Sequence, residues 1–268
     1  ARMNLQGCIS LTGNIYGGSN TTTVTEGKVT GNTYITINST ITVDGTIYGG
    51  SNGVIDGTSI NLNTGLMTGD TNVELNNGAI ITGDVYGGGN NSGVTGNANI
   101  TVNNGQVLGS VYGGAYQNQV RTASNIYIYD GILNDIYGGN VLTTQAQLNA
   151  DTSSQNVNIT IGDASKDVTP TINGTVYGSG KYDRVGTVNI QLVKCANAPT
   201  IYGGSDAAGF TNQVDIYLNG MTANTIYGGP KTDGTVTTSN IYLQTGTVTD
   251  VYGGGFGGTT TTSNIFLE

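Results

Sequence analysis

The densest group of chemically capable side chains is Lys181, Asp183 and Arg184, which a 25-residue register sets beside Asp206 and Lys231. Polysaccharide lyases and hydrolases need paired carboxylates, or a base with a cation on one face. If the chain is an enzyme, Lys181, Asp183, Arg184 and Asp206 are its candidate catalytic residues. The competing reading is a solvated charged turn beside a surface ion ladder, Lys181–Asp206–Lys231, with each contact worth at most about 1 kcal/mol. The second reading is favoured, so the expectation is a protein with no catalytic residues that is not an enzyme.

Other chemistries find less support. Histidine is absent, which removes Ser-His-Asp catalysis and the commonest neutral metal ligand. The calcium-binding β-roll repeat needs Gly-Gly-x-Gly-x-Asp in successive turns, and Gly203-Gly204-Ser205-Asp206 matches only in part. Asp84, Asp135 and Asp250 share a column with Asn14, Thr46, Ser110, Thr175, Thr200 and Thr225, which reads as a polar column on the surface and not as a metal site. Neither a metal nor a cofactor is expected. No Gly-Gly pair opens a helix with Lys-Ser/Thr following, so there is no phosphate loop. Threonine is abundant, as in Thr21-Thr22-Thr23 and 259–262, but holds no fixed slot of the kind an ice lattice would require.

The scaffold that must carry these residues is a repeat. Ile/Val-Tyr-Gly recurs with its tyrosine at Tyr16, Tyr48, Tyr86, Tyr112, Tyr137, Tyr177, Tyr202, Tyr227 and Tyr252. The spacings are 32, 38, 26, 25, 40, 25, 25 and 25 residues, so the unit is about 25 and the longer gaps, within 17–47, 49–85 and 138–176, read as insertions. A second motif, Asn/Asp-apolar-x-apolar, precedes the first from Asn72-Val73-Glu74-Leu75 to Asn264-Ile265-Phe266-Leu267. Apolar residues at alternate positions specify a strand with one buried face. No segment shows helical periodicity, and Gly and Asn clusters would break a helix.

One such unit cannot bury its Ile and Val alone, but stacked units can. The prediction is an all-β, parallel β-solenoid (a right-handed β-helix) of about ten coils, forming a single domain over residues 1–268. The coil is expected to have three faces, with one column of nine tyrosines as a structural ladder. The Gly-Gly pair is read as a sharp corner where positive φ and a missing side chain both help. The longest insertion, with 145–155 and 162–167, is read as loops leaving one corner. Asn4-Leu5 is aligned with Asn240-Ile241, so the chain is read as starting and stopping at one point of the repeat. That invites end-to-end contact with copies of itself or with flanking repeats of the same chain.

Composition narrows the partners. Only 9% of residues are charged and the net charge is −9, which argues against nucleic acid and against anionic membranes. No apolar run approaches the ~20 residues of a membrane span. The three prolines and the recurring Ile and Val argue against disorder. Cys8 and Cys195 are expected as separate, buried free thiols. Ala1 follows no signal peptide, so the chain is read as a mature product or an excised fragment.

Gly-Thr-Val-Asn-Ile-Gln-Leu (186–192) followed by Thr-Ile-Tyr-Gly-Gly (200–204) resembles the Gly-, Thr- and Asn-rich β-strand repeats of large bacterial cell-surface, adhesin-like proteins. The resemblance covers nearly the whole chain. It implies secretion, display on the cell envelope, and a structural or adhesive role as stalk, shaft or filament subunit. Two alternatives stand beside it. One is the carbohydrate-active enzyme above. The other is a non-catalytic glycan- or surface-binding module using the tyrosine column, or the outward Tyr127, Tyr217 and Tyr242, as aromatic platforms.

Overall fold

The computed structural model describes residues 1–7, 10–22, 26–55, 63–151 and 154–268. The chain coils as a parallel β-solenoid whose strands all pair with the matching strands of the coils before and after. Face one holds the Asn-Ile-x-Leu strands, such as Thr71–Leu75, Ala98–Val102 and Gln155–Ile161. Face two is a six-stranded sheet that runs from Ser10–Thr12 to Thr171–Ile172. Face three holds the Ile/Val-Tyr strands, from Ile15–Tyr16 onward. In the late coils the faces merge, and Gly209–Tyr227 and Thr235–Tyr252 each run through all three as one strand.

Register puts like over like. Val73, Ile100, Ile126, Ile159, Ile190, Ile216, Ile241 and Ile265 form one inward column. With the inward residues of faces two and three they form one continuous core. Fully burying each such side chain contributes about 1.5–3 kcal/mol. A smaller cluster of Met67, Val94, Ala98, Ala115 and Val120 fills the space between the tyrosine corner and the next face-one strand. Isolated bridges, such as Asn52↔Asn90 and Met67↔Val94, add a short fourth side there that the three-face expectation lacked.

Amide ladders tie the coils on the outside. Asn99, Asn125 and Asn158 each donate from Nδ2 to Oδ1 of the asparagine one coil earlier, at 3.0, 2.8 and 2.8 Å. Asn76 and Asn103 repeat the pattern at 2.7 and 2.8 Å, and so do Asn52 and Asn90. Each bond is worth about 0.5–1.5 kcal/mol net. Uncharged amides thus replace the surface ion pairs of an ordinary soluble protein.

The first glycine after each tyrosine is required by close approach. A Cβ on Gly17, Gly49, Gly113 or Gly178 would lie 2.2 Å from the carbonyl oxygen of the matching glycine in the next coil. Positive φ is not the reason: the left-handed glycines, such as Gly78, Gly131 and Gly246, lie elsewhere. That corrects half of the sequence argument for this corner.

Three further expectations change. Asn4 pairs with Thr36, and Met3 and Leu5 pair with Ile35 and Ile37. Met3 and Leu5 therefore hold the apolar columns, and the alignment of Asn4 with Asn240 is out by two residues, because the first coils have a longer path to their tyrosine. The longest insertion leaves two corners, one on each side of Gln155–Ile161. It also carries a helix, Gln145–Ala150, capped by the Thr144 side chain accepting from the Gln147 amide. Six residues are too few to display a period, and Gln147 and Leu148 are buried. Finally, Cys195 is half-buried, its thiol 3.0 Å from Asn197 Oδ1. Cys8 and Thr23 lie outside the described residues.

Gly113→Ala is expected to cost roughly 3 kcal/mol by overpacking against backbone, read from chemical denaturation. Gly254→Ala, whose Cβ would meet nothing closer than 3.8 Å, should change stability by less than about 0.5 kcal/mol.

Candidate functional site

The tyrosine column is the feature that every coil builds. In each two-residue face-three strand the Ile or Val points to the core, so the tyrosine points outward. Successive ring centroids lie between 4.6 Å (Tyr86–Tyr112) and 5.6 Å (Tyr177–Tyr202), with planes within 15° of parallel. Tyr48, Tyr86, Tyr112, Tyr137, Tyr177 and Tyr202 are buried although they face away from the main core. Tyr16 and Tyr227 pack against them, and Tyr252 at the end is 49% exposed.

The slot four residues after each tyrosine covers the column. Asn20, Asn52 and Asn90 form an amide ladder there. Tyr116 then sets its ring edge-on to Tyr86 at 5.7 Å, and Phe256 does the same to Tyr227 at 6.0 Å. The Lys181 ammonium lies 4.8 Å from the Tyr137 ring centroid. Lys231 donates to the Tyr177 hydroxyl at 2.8 Å and pairs with Asp206 at 3.0 Å. The Tyr137 hydroxyl donates to Asp206 at 3.3 Å. The expected Lys–Asp–Lys ion ladder is therefore half formed, with Lys181 taking a ring where Lys231 takes a carboxylate.

The four catalytic candidates separate into two places. Lys181 and Asp206 belong to this outer cover. Asp183 is fully buried, at 0% exposure. Its carboxylate accepts from the Asn140 amide and side chain at 2.8 and 3.1 Å, from Gln155 Nε2 at 3.2 Å and from the Arg184 amide at 3.0 Å. Arg184 Nε donates to the Leu148 carbonyl at 3.3 Å. The four do not line a common groove. The inward position of Asp183 follows from its alternation with Val185 along Asp183–Leu192, a signal that the basic neighbours Lys181 and Arg184 masked in the sequence. Its partners Asn140, Gln155 and, through Arg184, Asp151 come from the long insertion and carry no shared spacing.

The column before the anchor motif has a plain structural task. Asp84 and Asp135 accept from the Ser110 and Thr175 amides of the next coil, both at 2.7 Å, and Asn14 accepts from Thr46 at 2.9 Å. Among the described residues, no three His, Cys, Asp or Glu side chains converge as a metal cluster. No helix among them is long and apolar enough to cross a membrane.

The aromatic platforms need open ring faces, and stacking occupies those faces. The anchor column presents ring edges and hydroxyls outward. The second strip is split: Tyr217, Tyr242 and Phe266 stack at 4.6 and 4.8 Å, while Tyr127 lies apart beside Tyr129 at 6.3 Å.

Comparison with known proteins gives no match to any family model, to any curated protein or to any solved structure.

Burial governs the electrostatics. Desolvation, followed by the Ser110 hydrogen bond pulling the other way and the nearby Asp84, leaves the Tyr112 phenol pushed up to about 12. Burial raises Tyr48, Tyr86 and Tyr137 further, with Asp84 or Asp206 adding to it. The Tyr177 hydrogen bond, then Asp206, holds the Lys231 ammonium above its usual range. Because the folded phenols titrate above the free value of ~10, their contribution to stability is complete below pH ~10 and is lost as pH rises beyond it. In a spectrophotometric titration, the six buried column tyrosines, Tyr48, Tyr86, Tyr112, Tyr137, Tyr177 and Tyr202, should ionise late and together with loss of the β signal. Ionisation of all sixteen tyrosines near pH 10 with the fold intact would contradict their burial.

Proposed function

We propose that the chain is a structural solenoid, serving as a stalk, an adhesin shaft or a filament subunit outside a bacterial cell. The observation that carries this reading is the unbroken in-register column of nine tyrosines, running from Tyr16 to Tyr252. A rod whose every coil repeats the same contacts resists extension and bending along its whole length, which is what a shaft must do. The charged candidates that would argue for catalysis are spent on covering or docking contacts. The extracellular placement rests on the resemblance of the repeats to bacterial surface proteins.

The partners proposed are further coils of the same pattern, from flanking repeats or from another copy. Ile265, Phe266 and Leu267 are exposed at 46%, 40% and 85%, and Ile265 and Leu267 hold core columns. A coil placed over them would continue the core, as coil-on-coil pairing does within the chain.

Negative-stain electron microscopy of the purified chain at rising concentration tests the filament form. Rods longer than one solenoid are expected, and Leu267→Lys, which places a charge in the exposed core column, should shorten them. A concentration-independent monomer would rule out self-assembly and leave the shaft within a longer chain.

A further inference from the structure

One ring on the outside of face one has no aromatic partner in the neighbouring coils. Glu74, Thr101, Tyr127 and Thr160 are successive members of one outward column. Later in that column rings stack on rings, as Tyr217, Tyr242 and Phe266 do at 4.6 and 4.8 Å. Tyr127 instead has a threonine in the coil on either side, and Tyr129 lies beside it at 6.3 Å. The short Thr101 side chain leaves a slot between the Tyr127 ring and Glu74. That slot spans two coil steps, about 9.6 Å, the same height that Tyr242 fills between Tyr217 and Phe266.

We infer that this slot binds a guanidinium group, the side chain of an arginine on a partner protein, which lies flat on the Tyr127 ring and pairs with Glu74.

The groups around the slot are mainly acceptors. Glu74 is half-buried and, among the described residues, forms no ion pair. Its carboxylate accepts from Asn103 Nδ2 at 3.1 Å, and the same Nδ2 donates to Asn76 Oδ1 at 2.8 Å. Asn99 directs its Nδ2 to Asn72 Oδ1 at 3.0 Å. Asn99 and Asn103 flank Thr101 two residues to either side, so each offers a carbonyl oxygen at the level of the slot. A guanidinium is flat, donates from every N–H, accepts nothing, and stacks on aromatic faces. A sugar hydroxyl asks for donors as well as acceptors, and the amide hydrogens of Asn103 are already engaged.

The chain makes the same contact once for itself. Arg2 and Tyr34 are register partners on adjacent coils, and the Arg2 guanidinium lies 4.8 Å from the Tyr34 ring centroid. One coil step therefore suits a guanidinium on a tyrosine. The other side of Tyr127 carries the opposite charge. The Lys166 ammonium lies 3.6 Å from the Tyr129 ring centroid, and Lys194 donates to the Lys166 carbonyl at 3.2 Å. Both lysines follow face-one strands on the Thr160 side, Gln155–Ile161 and Asp183–Leu192. A cation is drawn to the Glu74 side, and a chain of net charge −9 favours a basic partner.

The probe is the tripeptide acetyl-Gly-Arg-Gly-amide, titrated at low ionic strength into the full chain with isotope-labelled tyrosine rings. The expected result is a saturable shift of the Tyr127 ring signals, which are assigned by their loss in Tyr127→Leu. The same peptide with neutral citrulline for arginine should bind at least about fivefold more weakly, and Glu74→Gln should weaken the arginine peptide by a similar factor, the worth of one half-exposed ion pair. Thr101→Tyr fills the slot with a ring, as Tyr242 does in its own coil, and should abolish binding. Thr160→Tyr, against the opposite face of Tyr127, should leave the affinity unchanged. Equal binding of the two peptides, undiminished binding to Thr101→Tyr, or no saturable shift at all overturns the site. If Thr101→Tyr fails to fold, Glu74→Gln and the citrulline comparison decide, and unchanged affinity in both overturns it.

Discussion

Successive coils meet closely at the Tyr-Gly corner, where the backbone of one coil lies against the carbonyl of the next with no room for a methyl group. This contact fixes the vertical spacing of the whole rod. Once it is set, every strand finds its neighbour at backbone hydrogen-bonding distance, about 4.8 Å. Side chains at equivalent positions then have to stack on their own kind. Isoleucine falls on isoleucine inside, asparagine on asparagine outside, and tyrosine on tyrosine at the corner.

The result is a protein that needs few charges. In a globular domain, surface polarity comes mainly from Lys and Glu. Here side-chain amides bond to one another coil by coil, and aligned Asp and Asn side chains brace the amides of the next turn. The tyrosine column adds a second apolar strip outside the core, with aromatic pairs worth about 0.5–1.5 kcal/mol each beyond their burial. Where the cover of that strip becomes charged, the charges serve the rings. Lys181 lies over one ring, and Lys231 holds a phenol and Asp206 together.

Most of the architecture was legible because periodicity is a property of the sequence itself. The Asn-Ile-x-Leu strands and the tyrosine ladder follow from spacing alone. What escaped was set by contacts between distant residues. The strand Thr33–Ile37 carries Tyr34 where later coils carry Asn, and its identity is fixed only by pairing with Thr71–Leu75. The helix Gln145–Ala150 is too short to show a pattern, and its place depends on packing. Asp183 looked like part of a solvated turn because its neighbours Lys181 and Arg184 are basic. Alternation with Val185 turns it inward, and residues from Asn140 to Gln155 bury it.

The central claim is that coils stack in parallel and in register along the entire chain, and a distance between residues far apart in sequence tests it most directly. Thr36 and Gln191 belong to one outward column, linked through Glu74, Thr101, Tyr127 and Thr160. Spin labels at these two positions, with Cys8 and Cys195 replaced by alanine, should give a narrow distribution near 24 Å, five coil steps of about 4.8 Å. A broad distribution, or a distance well beyond 40 Å, would contradict the stacked register.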